Sequence, residues 1–209
     1  MYTNARKSLI VESSGFLLNH FPVPQFKLQQ GEVIGLNIGA GAHFFQLEKE
    51  IVHRLTGEIK CSGVHLHQRM AYAEPLLERW YHRMFLSQKI KNYWLEQTGS
   101  KLHKQHPVLS ALQIEADLPI ERLNWSQRKW LSLFAHFEQT TTVIFNLQGL
   151  GPRAADQTML KVRDFVDCGK AAFLIDSFDD QAQNCDRFYS LEMFQQPSFK
   201  REPALSLVS

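Results

Sequence analysis

Gly31-Glu32-Val33-Ile34-Gly35-Leu36-Asn37-Ile38-Gly39-Ala40-Gly41-Ala42-His43 is the stretch that decides the fold of this 209-residue chain. Val33–Asn37 reads as a buried strand, a short apolar run bounded by turn-forming residues. It leads directly into Gly39-Ala40-Gly41-Ala42, where glycine supplies the backbone freedom of a tight reversal. From His43 to Leu55 the residues Phe44, Leu47, Ile51 and Leu55 recur at helical spacing and form one apolar stripe. A strand, a glycine turn and a helix in that order open a parallel α/β unit.

Upstream, Leu9–Glu12 reads as a short strand and Gly15–Pro24 as a loop or hairpin containing two prolines. Gln25–Leu28 alternates polar and apolar residues, as a half-buried strand does. Downstream, Thr56-Gly57-Glu58 breaks the first helix and Gly63–Leu66 reads as another strand. Glu74–Gln97 carries a helical pattern rich in Leu, Trp, Tyr and Phe, and Gly99–Pro107 is a polar, basic loop. Pro119–Leu123 leads into a helix over Ser126–Phe137, with Trp130, Leu133, Phe134 and Phe137 on one side. Thr141–Phe145 and Ala171–Ile175 are buried strands separated by a helix over Pro152–Val166. Asp179–Asp186 is predicted helical and Phe188–Met193 a closing strand. Buried strands alternating with helices predict an α/β fold, a mostly parallel sheet flanked by helices, preceded by antiparallel strands. The chain reads as one domain over 1–209, with a helical subdomain at about 74–118 and a loose tail from about 195.

The order of these pieces resembles the ATP-binding cassette (ABC) ATPases, the nucleotide-binding domains of ABC transporters. Gly31–Asn37 is similar to the strand before that family's phosphate loop. Leu55-Thr56-Gly57-Glu58-Ile59 resembles the "LLTGEL" end of its first helix, and Ser62-Gly63-Val64 the "SG.V" that opens the next strand. Leu123-Asn124-Trp125-Ser126-Gln127-Arg128 stands where the family has its LSGGQ signature. Thr142–Asn146 stands at the Walker B strand, and Gly149-Leu150-Gly151-Pro152-Arg153-Ala154 looks like the "GLDPRA" loop. Ala171–Asp180 resembles the strand that carries the switch histidine, and Cys185–Phe188 the closing "aDRv". The resemblance spans most of the chain and implies a P-loop NTPase-like fold. A sheet joined in some other strand order would instead mark an unrelated α/β protein.

The same resemblance implies ATP and Mg²⁺, yet the residues that handle them are replaced. A phosphate loop needs wrapping backbone N–H groups, a lysine for the outer phosphates and a hydroxyl for Mg²⁺. Here it reads Gly39-Ala40-Gly41-Ala42-His43, with Ala42 at the lysine and His43 at the hydroxyl position, and it is shortened at Asn37-Ile38. The acidic pair that should end Walker B is replaced by Asn146 and Leu147, and a one-residue slip of register restores no acid. Gly151 replaces the loop aspartate and Ser177 the switch histidine. At the signature, Trp125 and Ser126 replace the two glycines, so an indole stands where backbone would approach a partner's phosphate. Five independent losses on a retained scaffold predict a catalytically inactive protein that holds neither ATP nor a metal in the usual way.

Simpler readings stand beside these. Gly35–Gly41 also reads as a plain strand-to-helix turn, though a helix N-terminus with free N–H groups can hold an anion weakly. His65 and His67, two apart on one strand face, could join Cys61 or His53 around a metal, but no complete ligand set is present and they read as surface histidines. Asp176, Ser177 and His43 lack the GxSxG context of a nucleophile. Trp80, Tyr81, Met84 and Phe85, with Tyr93-Trp94 nearby, read equally as a partner-docking surface or as subdomain core. Either Gln68 or Glu74 stands nearest the family's glutamine-loop position.

Composition bounds the rest. A formal net charge of +2 and a pI near 8.4 favour neither nucleic acid nor an acidic tail. Three scattered cysteines, Cys61, Cys168 and Cys185, fit a reducing cytoplasm. No apolar run approaches the roughly 20 residues of a membrane span. The expected partner is therefore a protein: an ABC permease, a competent ABC ATPase or a second copy of the chain, with any membrane reached only through it. The competing expectation is an ATP-binding transporter subunit with atypical motifs, working in a heterodimer.

Overall fold

The structure is a computed structural model that describes residues 7–19, 21–74, 76 and 88–191. Its centre is a five-stranded sheet in the order β10 (Arg187–Ser190), β5 (Val33–Asn37), β9 (Ala171–Asp176), β8 (Thr142–Asn146), β7 (Ala71–Tyr72). Every neighbouring pair in it runs parallel. A smaller antiparallel sheet places β1 (Leu9–Ser13) between β4 (Phe26–Gln29) and β6 (Val64–Leu66). A two-stranded hairpin, β2 (Phe16–Leu18) with β3 (Phe21–Val23), completes the strands.

The parallel sheet is buried on both faces, and its side chains sort by strand periodicity. Ile34, Leu36, Ile144, Phe173 and Ile175 pack toward the antiparallel strands and α1 (Phe44–Leu55). Val33, Val143, Phe145, Ala172 and Leu174 pack on the other side, with Leu133 and Phe137 of α4 (Trp125–Gln139) and Met159 and Val162 of α5 (Pro152–Asp167). Each such side chain contributes roughly 1.5–3 kcal/mol on leaving water. A third cluster joins α2 (Ile90–Thr98), α3 (Pro107–Leu112) and the outer face of α4. Tyr93 and Trp94 are buried in it, so they are core and not a docking surface.

Three expectations change. Asp179–Asp186 forms only a 3-10 turn over Ala182–Asn184. Gln181 and Asn184 bond to each other there, and Asp186 N–H donates to Val33 O, drawing the chain out toward β10. Of the helical stretch expected over Glu74–Gln97, residues 75 and 77–87 lie outside the described residues; a helix runs over Ile90–Thr98, preceded by a strand bridge from Lys89 to Pro119. Helix α4 starts at Trp125 and is buried on most of its girth, Leu131 to Ala135 without a break, because it lies between the sheet and α2–α3. Three elements among the described residues went unforeseen: the two-residue strand β7, the short α3, which begins on Pro107, and a 3-10 turn over Ile120–Arg122. Trp80, Tyr81, Met84 and Phe85 lie outside the described residues, as does the tail from 195.

Candidate functional site

Strand β5 delivers the glycine turn to the carboxyl edge of the sheet. Gly39 and Gly41 both take positive φ, +76° and +132°, a region L side chains rarely adopt. The first loop N–H is already used, because Gly39 N donates to Asn37 Oδ1 at 2.7 Å. Asn37 Nδ2 in turn donates to Asp179 Oδ1 at 2.6 Å, tying the turn to the chain beyond β9. Gly41, Ala42 and His43 are exposed, and His43 stands at the helix N-cap without a side-chain capping bond. The turn therefore presents open backbone and no lysine or arginine of its own.

The end of β8 is built differently. Asn146 is buried, and all four hydrogen-bonding positions of its side-chain amide are filled. Nδ2 donates to Glu48 Oε1 at 2.5 Å and to the Tyr72 hydroxyl at 3.0 Å. Oδ1 accepts from Lys129 Nζ at 2.5 Å and from Gln148 N at 3.2 Å. Lys129 Nζ also donates to Asn146 O at 3.1 Å, and the Tyr72 hydroxyl donates to Glu48 Oε1 at 3.0 Å. Glu48 is 5% exposed and Lys129 6% exposed. Burial pushes the Glu48 carboxyl above its usual range, against its bonds to Asn146 and Tyr72 and the nearby Lys129. Burial also lowers the Lys129 amine to about 8, opposed by the charges of Glu48 and Asp176. Leu147 next to them belongs to the apolar core.

The signature-like segment is an ordinary helix start. Asn124 caps α4, its Oδ1 accepting from Gln127 N at 2.9 Å while Gln127 Oε1 accepts from Asn124 N at 3.0 Å. Leu123 is buried below the cap, and Ser126 lies in the first turn. Trp125 leans over Gly149, its indole N–H donating to Gln148 O at 3.2 Å. Ser177 is buried; its hydroxyl accepts from Gln148 Nε2 at 2.6 Å and its N–H donates to Asp176 Oδ1 at 2.7 Å. Burial raises the Asp176 carboxyl. His43 takes no part in these contacts.

Asn146, Trp125 and Ser177 thus converge on Gln148, while the glycine turn is tied to Asp179 instead. Gln68 precedes β7, its amide bonding Ser8 and Thr141, and Glu74 lies just past β7. His65 and His67 are exposed, and no group of His, Cys, Asp or Glu able to hold a metal occurs among the described residues. Glu48, Lys129 and Tyr72 were missed from sequence. Glu48 had a readable signal, a carboxylate inside the apolar stripe Phe44–Leu47–Ile51–Leu55. These three side chains floor a cavity of about 920 Å³, walled by Phe45 and Val52 of α1, Met70 and Trp125.

The strand order has solved counterparts. A metal-chelate type ABC transporter in an inward-facing conformation superposes with a TM-score of 0.68 at 14% identity, over 88% of this chain and 79% of that one. The fold is that of an ATP-binding cassette. A second counterpart is CbiO1 from Clostridium perfringens, part of the ABC transporter complex CbiONQ (TM-score 0.63, 13% identity, 88% and 85% covered). The ADP conformation of another ABC transporter cassette gives 0.68 at 12% identity over 90% and 88%. No protein-family model and no curated protein matches the sequence. No helix among the described residues is long and apolar enough to cross a membrane.

Proposed function

We propose that this cassette is catalytically inactive and works as a structural or regulatory subunit through protein–protein contacts. The observation that carries the reading is the saturated amide of Asn146. A cassette that turns over ATP needs an acid at this strand end, free to hold the water shell of Mg²⁺. Asn146 carries no charge, and its donors and acceptors are all engaged by Glu48, Tyr72, Lys129 and Gln148. Lys129, the ammonium beside this strand end, points its bonds at Asn146. At the glycine turn Ala42 brings no charge, and His43 offers an imidazole where Mg²⁺ prefers oxygen. The indole of Trp125 over Gly149 also closes the signature position to a partner's phosphates. Residues present at this edge therefore do not fit Mg·ATP.

Two of the solved cassettes in its likeness belong to ABC transporters, which supports a protein partner: a permease, a competent ABC ATPase or a second copy. The retained geometry of Gly39 and Gly41, with open space beyond Gly41, favours a second reading, a nucleotide held only when a partner completes the site. Turnover separates the two. Purified chain, alone and with an intact cassette, is expected to add no ATPase activity. Activity that disappears when residues 39–44 are changed would reject the proposal.

A further inference from the structure

Beyond partner contacts, we propose that the cavity between α1, β7 and α4 is a small-molecule site for a neutral, planar heteroaromatic ring bearing a lactam edge, a carbonyl beside an N–H. The floor already grips one amide edge, that of Asn146: Lys129 Nζ donates to its oxygen at 2.5 Å and Glu48 Oε1 accepts from its nitrogen at 2.5 Å. The pair keeps one position of each kind. Two of the three Lys129 ammonium protons go to Asn146 O and Oδ1, and Glu48 uses only Oε1. A buried donor and a buried acceptor, each at least nine-tenths covered and each with a vacant position, open on the same cavity. Among the described residues only Trp94 Nε1 and Thr142 Oγ1 are sealed from solvent without a partner, so the vacant positions of Glu48 and Lys129 are open to water, which a ligand edge can replace. A lactam edge takes up both at once, its carbonyl on Lys129 and its N–H on Glu48.

The walls select the rest of the molecule. Trp125, Tyr72 and Phe45 offer ring faces, and Met70 and Val52 fill between them. Phe45 is 69% exposed, and among the described residues its ring contact is an edge to Phe44. The lining carries Glu48, Glu58 and Glu74 against Lys49, Lys129 and His53, which bonds Glu58, so it holds no surplus of cations for an anion. The volume of about 920 Å³ takes two or three fused rings.

Lumichrome, a fluorescent tricycle with such an edge, is the probe; its 1,3-dimethyl derivative lacks both N–H groups, and 1-anilinonaphthalene-8-sulfonate is an aromatic anion. Lumichrome is expected to bind saturably at one site, with about tenfold loss on dimethylation or in Lys129→Met. Phe45→Ala, at an exposed position that leaves the fold intact, is expected to weaken it about threefold to tenfold. Equal binding of the two lumichromes, preference for the sulfonate, or affinity unchanged in both variants would overturn the assignment. So would a wild-type protein that binds no lumichrome. Neither result bears on ATP turnover, which tests the inactive-cassette reading separately.

Discussion

Two strand ends along one edge of the sheet differ in how they handle polarity. At β5 the chain leaves through Gly39 and Gly41 into a turn whose last residues, Gly41, Ala42 and His43, are exposed and bring no lysine or arginine. At β8 it runs into Asn146, buried and gripped by a lysine, a glutamate and a tyrosine. The first end keeps its shape because a strand must still reverse into α1, and that need is met by backbone alone. The second end keeps charge, but the charge is turned inward and paired within the chain. A buried strand end still has to satisfy its amide, and at β8 a polar network fills every position of the Asn146 side chain.

The comparison breaks most sharply at Asn146. Asn146→Leu removes the amide that bridges Lys129 and Glu48 and leaves both buried charges short of partners. The expected loss is about 3–5 kcal/mol in chemical denaturation. An unchanged midpoint would show that the network contributes nothing to the fold.

The titration of Lys129 comes next. Its amine sits at about 8 in the folded chain against 10.5 ordinarily, with burial as the first cause. Between those values the unfolded chain holds the proton more tightly than the folded one. The cost is therefore fully present below about pH 8 and is relieved as pH rises toward 10.5, by up to about 3 kcal/mol. Glu48, with its carboxyl raised by burial, runs the opposite way: its favourable contribution is full below 4.5 and lost as pH rises through the folded value. Stability measured from pH 7.5 to 10 is expected to climb more steeply in the native chain than in Lys129→Met.

Smaller effects sharpen the contrast. Asn124→Ala should cost about 1 kcal/mol through the lost capping box, with no other consequence, if this segment is only a helix start. Ala42→Lys restores a cation at the exposed turn. It is expected to shift stability by less than about 0.5 kcal/mol and to leave thermal midpoints insensitive to Mg·ATP.

Much of this scaffold was legible in the sequence. Val33–Asn37, Thr142–Asn146 and Ala171–Asp176 announce themselves as apolar runs because both faces of a parallel strand are buried. Helix α1 does so through a clean 3.6-residue stripe. Strand β7 could not be seen, since two residues show no period, and α3 is six residues long behind a proline. The helical pattern over 179–186 yielded to side-chain bonds among Asp156, Gln181 and Asn184 that join distant segments. At the site, residues such as Asn146 and Trp125 were legible one by one, whereas the network was not. Lys129 reads as a solvated helix charge until α4 is known to be buried on most of its girth, and the other members of its network, Glu48, Tyr72 and Asn146, come from three other elements.

Equilibrium titration of a fluorescent ATP analogue into the purified chain, with and without Mg²⁺, tests the central claim most directly. The account predicts no saturable signal and no dependence on the metal. Tight, Mg²⁺-dependent binding that is lost when residues 39–44 are changed would contradict it.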